Sequence, residues 1–175
     1  MHSDIVFTLT GTDRIGIVEE VTRVLFGLDG NVETSRMVRL GGEFALLMLV
    51  SLPTERLAEL DSAVDALAAQ GFRVTTSPTR QADAQHSGWL PYQVSVVGAD
   101  HEGIIHEIAQ GLSARGINIE SMETGTTEAP VSGAQLFSMT ASVLVPPHLQ
   151  EDDWIAVLAE AGDKVNIDIE VAAGA

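Results

Sequence analysis

The sequence predicts an α+β fold made of two ferredoxin-like βαββαβ units, each with two helices on one face of an antiparallel sheet. The first observation is an internal repeat. Gly11-Thr-Asp-Arg-Ile-Gly-Ile returns 87 positions later as Gly98-Ala-Asp-His-Glu-Gly-Ile (98 − 11 = 87), and the same shift relates Asn31 to Asn118. The second observation is the hydrophobic period, which changes between strand-like and helix-like in the same order in both halves. A chance match would not keep one register, so the chain carries one supersecondary unit twice.

In the first unit, apolar residues alternate along the strands and recur at helical spacing along the helices. Asp29-Gly-Asn ends the first helix with residues that tolerate a left-handed backbone, and Gly41-Gly42 supplies a tight hairpin turn. The predicted elements are, in order, a strand over 5–10, a helix over about 15–28, strands over 32–40 and 44–52, a helix from Pro53-Thr54 to Gly71, and a strand over 72–76.

The second unit repeats this order with a longer hairpin loop over 127–133. This loop is a candidate functional or contact element, because the turn itself needs fewer residues. Glu151, Asp152 and Asp153 in the first turn of the second helix suit the positive end of its dipole. The predicted elements are a strand over 92–97, a helix over about 104–115, strands over 117–126 and 135–145, a helix after Pro146-Pro147, and a strand over 164–171.

The length of the repeat sets the expected domain organisation. A unit of 87 residues (98 − 11 = 87) is near the lower end of independent stability, so we expect two small domains that pack together. Residues 78–88 are polar and aperiodic, which indicates a linker between them. The predicted divisions are a first domain over 1–79, a linker over 80–90 and a second domain over 91–175.

The composition excludes several classes of function. With 9 basic and 25 acidic residues, the net charge is −16, which disfavours direct binding to nucleic acid. There are no cysteines, so a thiolate nucleophile, a thiolate metal site and a disulfide framework are excluded. The longest apolar run, 44–50, is too short to span a membrane, and the acidic start does not resemble a secretory signal. We therefore expect a soluble cytoplasmic protein without membrane contact.

The sequence shows no arrangement that indicates catalysis or metal binding. His101 and His106 are five positions apart, which sets them about 140° from one another around a helix. Gly11 and Gly16 lack the Lys-Ser/Thr of a phosphate-binding loop, and there is no Gly-x-Ser-x-Gly elbow. We therefore expect a protein that is not an enzyme and that holds neither a metal nor a cofactor.

The repeated strand–helix turn has the chemistry of a site for a small amino acid. The start of a helix offers unpaired backbone N–H groups to a carboxylate, and Gly16 or Gly103 allows close approach. Asp13 and Asp100 can accept charge-assisted hydrogen bonds from an ammonium group. The same pattern also fits a helix N-cap followed by a tight turn, in which case the turn has only a structural role.

These turns, together with Gly30-Asn-Val in the first unit and Gly116-Ile-Asn-Ile in the second, resemble the ACT-domain family of small-molecule-binding regulatory modules. The resemblance covers nearly the whole chain outside the linker. The family usually has Asp-Arg-Pro-Gly at the turn, so Ile15 and His101-Glu102 depart from its pattern. A tandem pair without a catalytic domain is most similar to the glycine cleavage system transcriptional repressor group. That similarity implies amino-acid sensing and regulation through another protein, without direct DNA binding.

The resemblance also implies that ligands bind where this turn meets a neighbouring unit, with Asn31 and Asn118 beside the turn. Each asparagine offers a donor and an acceptor to a small polar ligand, although an asparagine after a helix is also a normal stop signal. The candidate ligand-binding residues are Asp13, Arg14, Ile15, Gly16, Ile17 and Asn31 in the first unit and Asp100, His101, Glu102, Gly103, Ile104 and Asn118 in the second.

The expected function is that of a homodimeric regulator that binds a glycine- or serine-like amino acid and signals through a partner protein. The alternative is a dimerisation module whose sheet edges pair independently of amino acids and whose pockets have decayed. Arg14 matches His101, and Ile15 matches Glu102, so the copies have diverged around the proposed site. We therefore expect two similar folds with two unequal pockets.

Overall fold

The computed structural model describes residues 1–79, 86–130 and 133–174, in two compact units that span Met1–Ala82 and Asp83–Ala175. Residues 80–85, which make up much of the expected linker, and residues 131–132 of the second hairpin loop lie outside the described residues. The strand that opens the second unit begins at Leu90, one residue before the expected domain boundary.

The first unit is a four-stranded antiparallel sheet with two helices. Its elements are β1 (His2–Thr12), α1 (Ile17–Gly27), β2 (Asn31–Leu40), β3 (Glu43–Pro53), a short 3-10 helix (Thr54–Arg56), α2 (Leu57–Ala68) and β4 (Arg73–Pro78). The strand order is β2-β3-β1-β4, which puts β1 in the interior of the sheet and β2 at one edge. This order is the ferredoxin-like one that the sequence predicts.

The core of the first unit lies between the helices and one face of this sheet. Every second residue of β1 and β3 is buried, as expected for strands with one covered face. Helix α1 buries residues spaced by four positions, which lie on one side of a helix. The buried residues include Ile5, Phe7 and Leu9 of β1, Leu46, Met48, Val50 and Leu52 of β3, Ile17, Val21 and Leu25 of α1, and Leu60 and Leu67 of α2.

The second unit repeats this architecture. Its elements are β5 (Leu90–Ala99), α3 (Ile104–Ser113), β6 (Asn118–Glu128), β7 (Gln135–Val145), α4 (Glu151–Lys164) and β8 (Ile167–Ala173). The strand order β6-β7-β5-β8 matches that of the first unit position by position. The longest of these helices, α4, has 14 residues, and no helix in the described part of the chain is long and apolar enough to cross a membrane.

Close helix packing and one tryptophan distinguish the core of the second unit. A Cβ built on Gly111 of α3 would lie 3.6 Å from Leu158 Cδ2 of α4, an ordinary van der Waals distance, so the two helices pack directly against each other at this glycine. Trp154 is buried, and its ring lies edge-on to Tyr92 with 5.2 Å between ring centroids. Such edge-to-face pairs contribute to packing beyond the area that they bury. Trp154 therefore belongs to the core of the second unit.

The order and type of the elements agree with the sequence prediction, several boundaries shift by one to three residues, and two of these shifts have a clear cause in the backbone. Helix α1 begins at Ile17, two residues later than expected, because Gly16 has a φ of 96°, a backbone conformation that glycine adopts without strain. Strand β8 begins at Ile167, three residues later than expected. Helix α4 continues to Lys164, and Asn166 then reverses the chain with a φ of 50°.

The predicted turn residues have the backbone conformations that their chemistry suggests. Asp29 ends the first helix region with a φ of 55°. Gly41 and Gly42 have φ values of 61° and 87°, and positive φ at both positions is the requirement of a type I′ hairpin turn. The tight hairpin between β2 and β3 is therefore confirmed.

Candidate functional site

The repeated strand–helix turn has the same backbone geometry in both units. Gly16 and Gly103 each precede a helix with a φ of 96°, and each carbonyl accepts the N–H of Glu20 or Glu107 at 2.9 and 3.0 Å. No side chain caps either helix. The aspartates of the two turns are therefore not N-caps, and the first N–H groups of both helices have no side-chain acceptor.

Gly11 and Gly98, a second pair of glycines at matching positions of the repeat, lie in close contact with a bulky side chain of the same unit. A Cβ on Gly11 would lie 2.7 Å from Phe72 Cδ1, and a Cβ on Gly98 would lie 2.7 Å from Ile167 Cγ2. Neither distance is compatible with a side chain on the glycine. Sequence reasoning assigned no role to these two residues, although their matched positions in the repeat were a usable signal.

In the first unit, Asp13 already has a cationic partner. Its Oδ2 accepts a hydrogen bond from Arg39 Nε of β2 at 2.6 Å, and its backbone N–H donates to the Gly42 carbonyl at 2.9 Å. The carboxylate that was expected to meet a ligand ammonium group is therefore held by a cation of its own unit.

Arg14 ties the first turn to the connection between α2 and β4. Its guanidinium donates to Glu20 Oε2 at 2.5 Å and to Gln70 Oε1 at 3.1 Å, and it lies 5.1 Å from the centroid of the Phe72 ring. The side chain of Ile15 is fully exposed between these contacts and the helix. Arg14 thus has a set of partners within its own unit.

Two of the candidate residues are core residues. Ile17 and Ile104, the first residues of α1 and α3, are each only 2% exposed and belong to the two hydrophobic clusters. Their side chains lie in the cores of the two units. Only their backbone N–H groups, which lie at the starts of the two helices, can reach a ligand.

In the second unit, the corresponding aspartate has no partner that matches Arg39. Asp100 has the same backbone contact as Asp13, because its N–H donates to the Gln135 carbonyl at 2.9 Å. The position that matches Arg39 is Thr126 (39 + 87 = 126), which carries no charge. Among the described residues, no side chain forms an ion pair or hydrogen bond with the Asp100 carboxylate. The second turn therefore offers an acceptor that the first one lacks.

Asp100 lies at a shallow depression of about 470 Å³ beside the start of α3. One wall is apolar, since Ile105 is 44% exposed, and Phe137 of β7 also contributes. The lining residues are Asp100, His101, Gly103, Ile104, Ile105, His106, Ala109 and Phe137. The arrangement combines an unpaired carboxylate, the N–H groups of a helix start and a small apolar surface.

His101 connects the second turn to the residues before β8, much as Arg14 connects the first turn to the residues before β4. Its Nδ1 lies 2.9 Å from the Glu102 carbonyl and its Nε2 lies 2.5 Å from the Val165 carbonyl. Because a carbonyl oxygen only accepts, the imidazolium form of His101 can donate to both carbonyls, whereas a neutral ring can donate to one of them. The hydrogen bond to Glu102 contributes most, followed by that to Val165, and the Asp100 charge adds to them, so that together they raise the pKa of His101. The Glu102 side chain is exposed.

The two asparagines do not lie beside the turns of their own units, so this expectation is wrong within a unit. Asn31 pairs with Ser51, which pairs with Asp4 near the start of β1, whereas Asp13 follows the end of that strand. Nine residues of extended chain separate the two ends, which is roughly 30 Å. Asn118 likewise lies across the sheet from the start of β5. Each first helix returns the chain to that end before the next strand begins.

The remaining polar candidates do not form a second cluster with the turn. Asn118 donates a hydrogen bond to the carboxylate of Glu120, and the Asn31 side chain is exposed. His106 lines the same depression as Asp100. Across residues 1–79, 86–130 and 133–174, no three His, Asp or Glu side chains come close enough to hold a metal ion.

Comparison with known proteins identifies both units. Models of the ACT domain match residues 3–76 and residues 92–152. The chain is 30% identical over 131 residues to the glycine cleavage system transcriptional repressor of Escherichia coli, a match that covers 71% of this chain and 66% of the repressor.

Two further matches are to a longer protein and to a chain that is covered over its full length. The chain is 32% identical over 141 residues to a UPF0324 membrane protein of Bordetella bronchiseptica, covering 79% of this chain and 40% of that protein. The chain therefore spans less than half the length of that relative. A crystal structure of an unknown protein from Galdieria sulphuraria superposes with a TM-score of 0.89 at 31% identity over 100% of both chains. With one ACT domain in each unit, this chain belongs to the ACT-domain family.

Proposed function

We propose that this protein is a non-enzymatic regulator that binds a small amino acid at the second strand–helix turn and transmits its occupancy to a partner protein. The two ACT domains and the similarity to a glycine cleavage system transcriptional repressor support a regulatory role. The net charge of −16 favours action through a protein over direct contact with nucleic acid. In this proposal, the protein acts in the cytoplasm.

The observation that carries the proposal is the difference between the two aspartates. In the first unit, the Arg39 guanidinium holds Asp13 where the ammonium group of a ligand would otherwise bind. In the second unit, Asp100 has the same backbone geometry, and Thr126 stands in place of the cation. The ammonium group of a ligand would form with Asp100 the ion pair that Arg39 forms with Asp13 in the first unit.

The rest of the depression fits the other parts of an amino acid. The N–H groups at the start of α3 suit a carboxylate, because the positive end of the helix dipole lies there. Ile105 and Phe137 offer a small apolar surface to a short side chain. Because the depression is shallow, a long side chain would extend into solvent without further contacts. A glycine- or serine-like ligand therefore fits best.

A melting screen against the amino acids tests the proposal. A ligand at about 100 times its dissociation constant that binds only the folded protein adds about 2.7 kcal/mol of stability, which a melting curve detects. Asp100→Asn should reduce the shift that glycine or serine causes, whereas Asp13→Asn should leave it unchanged. Both substitutions keep the size of the side chain at exposed or half-exposed positions. If no amino acid shifts the transition, or if Asp100→Asn responds like the wild type, the proposal is wrong.

A second candidate function is a ligand-independent interaction module, and the exposed sheet edges favour it. Strand β2 lies at the edge of the first sheet and is exposed along most of its length. Unpaired edge strands can join with the edge of another sheet, which would also form the proposed homodimer. This function predicts self-association that is the same with and without glycine in sedimentation measurements. An amino-acid-dependent change in either association or partner binding would favour the sensor.

A further inference from the structure

A polar depression of about 390 Å³ lies at the end of the first sheet, lined by Thr10, Gly11, Thr12, Glu43, Gly71 and Arg73. Leu9 points into the core, so Thr10 and Thr12 alternate with it towards the face without helices. Glu43 of β3 pairs with Thr12, and Arg73 of β4 pairs with Thr10, so these side chains share that outer face. Two hydroxyl groups and two opposite charges therefore surround one recess.

The two charges of the recess do not neutralise each other. Among the described residues, Arg73 forms neither an ion pair nor a side-chain hydrogen bond, although the chain carries a net charge of −16. Glu43 accepts only a long hydrogen bond of 3.5 Å from Thr12 Oγ1. The guanidinium and the carboxylate lie on the two strands that flank β1. A separate ligand can therefore sit between them and contact both.

The backbone is also open at this point. The ladder between β1 and β4 ends at the pair of Thr10 and Arg73, whereas the ladder between β1 and β3 continues to the pair of Thr12 and Glu43. Beyond Thr10, the side of β1 that faces β4 has no strand partner. Gly11 and Gly71 add no side chains to fill the recess. Backbone polar groups without a strand partner need another one, such as water or a ligand.

The fold itself does not require these polar groups. In the second sheet, the pair of Val97 and Asp168 occupies the position of the pair of Thr10 and Arg73. Leu136 and Ala99 likewise form the pair that matches Glu43 and Thr12. The second unit thus builds the same sheet without the pair of opposite charges. The pair of opposite charges at these positions therefore belongs to the first unit.

We propose that this recess binds a small zwitterion. The ligand carboxylate contacts the Arg73 guanidinium and the Thr10 hydroxyl, and the ligand ammonium contacts Glu43 and the Thr12 hydroxyl. A zwitterion adds no net charge, whereas a simple anion would have to approach a chain of charge −16. The site shares no residue with the depression beside Asp100, so it is independent of the function proposed above.

An NMR titration that follows the backbone amides of Thr10, Thr12 and Arg73 tests the site. Glycine and serine serve as zwitterionic probes, and acetate and methylammonium each carry one of the two charges. We expect saturable shifts with the zwitterions only. A ligand of about five heavy atoms reaches roughly micromolar affinity at best, so the titration has to extend well above that concentration.

Three substitutions separate this site from its surroundings and from the depression beside Asp100. Arg73→Gln should weaken zwitterion binding about 10- to 100-fold, because it removes a charged hydrogen-bond partner. Arg36→Gln removes an exposed arginine of β2 and should leave the affinity unchanged. Asp100→Asn should also leave these three amide shifts unchanged, because Asp100 lies outside the recess. The proposal for the second turn is tested separately, at the amide of Gly103. Absence of saturable shifts, saturation by acetate alone, or equal affinity in Arg73→Gln would overturn the proposal.

Discussion

Arg39 and Thr126 occupy matching positions of the two hairpins, and only the arginine reaches an aspartate. The ion pair with Asp13 joins residues 26 positions apart in sequence. It forms because β3 pairs with both β1 and β2, so that the Gly41-Gly42 turn lies beside the end of β1. The sequence predicts unequal pockets around two matching aspartates, Asp13 and Asp100, because the neighbouring turn residues differ between the two copies. It does not predict that one of them is neutralised, because that contact depends on the register of the hairpin.

The substitution Arg39→Gln should give the first turn the binding property of the second. Without the guanidinium, Asp13 becomes available to an ammonium group, and glycine should then shift the Gly16 amide in an NMR titration. The cost in stability should be less than about 1 kcal/mol, since Arg39 is 69% exposed and such pairs are weak. Arg36→Gln is the matched control. A Gly16 amide that ignores glycine in the Arg39→Gln protein would show that the arginine is not a competitor.

His101 should make the stability of the protein depend on pH. Its pKa is raised above the ordinary value of 6.5 by the carbonyls of Glu102 and Val165. The folded state therefore binds the proton more tightly than the unfolded state. This contribution to stability is fully present below about pH 6.5 and is lost as the pH rises through the folded pKa.

The measurement is chemical denaturation of wild type and His101→Gln at pH values on both sides of this range. The difference in unfolding free energy between the two proteins should be larger at the acidic end. His106→Gln is the control, because His106 makes no such carbonyl contacts among the described residues. A difference in unfolding free energy that stays constant across the pH range would contradict the interpretation that the protonated His101 ring donates to the two carbonyls.

At the scale of elements, residue types and periodicity predict where strands, helices and turns form better than they predict which residues lie close together in space. Periodicity predicts every strand and helix in order, and Asp29 and the Gly41-Gly42 pair have the backbone conformations expected from their residue types. The start of α1 differs because Gly16 adopts a positive φ, which a hydrophobic pattern does not encode. The placement of Asn31 beside the turn of its own unit is wrong, and the element order already implies this, because α1 carries the chain to the opposite end of the sheet.

The pairing of Gly98 in β5 with Ile167 in β8 predicts a glycine that cannot be replaced without loss of stability. A Cβ in Gly98→Ala would lie 2.7 Å from Ile167 Cγ2 and 3.1 Å from Ile167 Cα, so both strands would have to move. Overpacking of this kind costs about 1–3 kcal/mol in unfolding free energy. Gly27→Ala is the control, since no atom lies within 4 Å of its Cβ position and alanine favours helix. Urea denaturation should show loss of stability in the first variant only, and equal stability of both would refute the steric explanation.

At the scale of the whole molecule, the dominant property is the net charge of −16. Such an imbalance keeps a protein soluble and destabilises the compact state through repulsion between like charges. It also limits the partners and ligands, because a polyanion is repelled whereas a neutral zwitterion is not. Both sites proposed above satisfy this restriction, since each presents groups for an ammonium and for a carboxylate.

Added salt should therefore stabilise the folded protein. Raising the ionic strength from low values to about 0.15 M shortens the screening length to about 8 Å and weakens the repulsion between surface carboxylates. The melting temperature measured by circular dichroism should rise over this range. The same titration with the Arg39→Gln protein should show a rise at least as large, because that variant is more acidic. A melting temperature that falls with salt would mean that attractive surface pairs outweigh the repulsion.

The central claim is that the second turn binds a small amino acid through Asp100, and residue-resolved NMR tests it most directly. Glycine and serine are titrated into labelled full-length wild type, Asp100→Asn and Asp13→Asn, and the amides of Gly103 and Ile105 are followed. We expect saturable shifts of both amides in the wild type and in Asp13→Asn, and the loss of these shifts in Asp100→Asn. Shifts that persist unchanged in Asp100→Asn, or a Gly103 amide that responds to neither amino acid in the wild type, would contradict it.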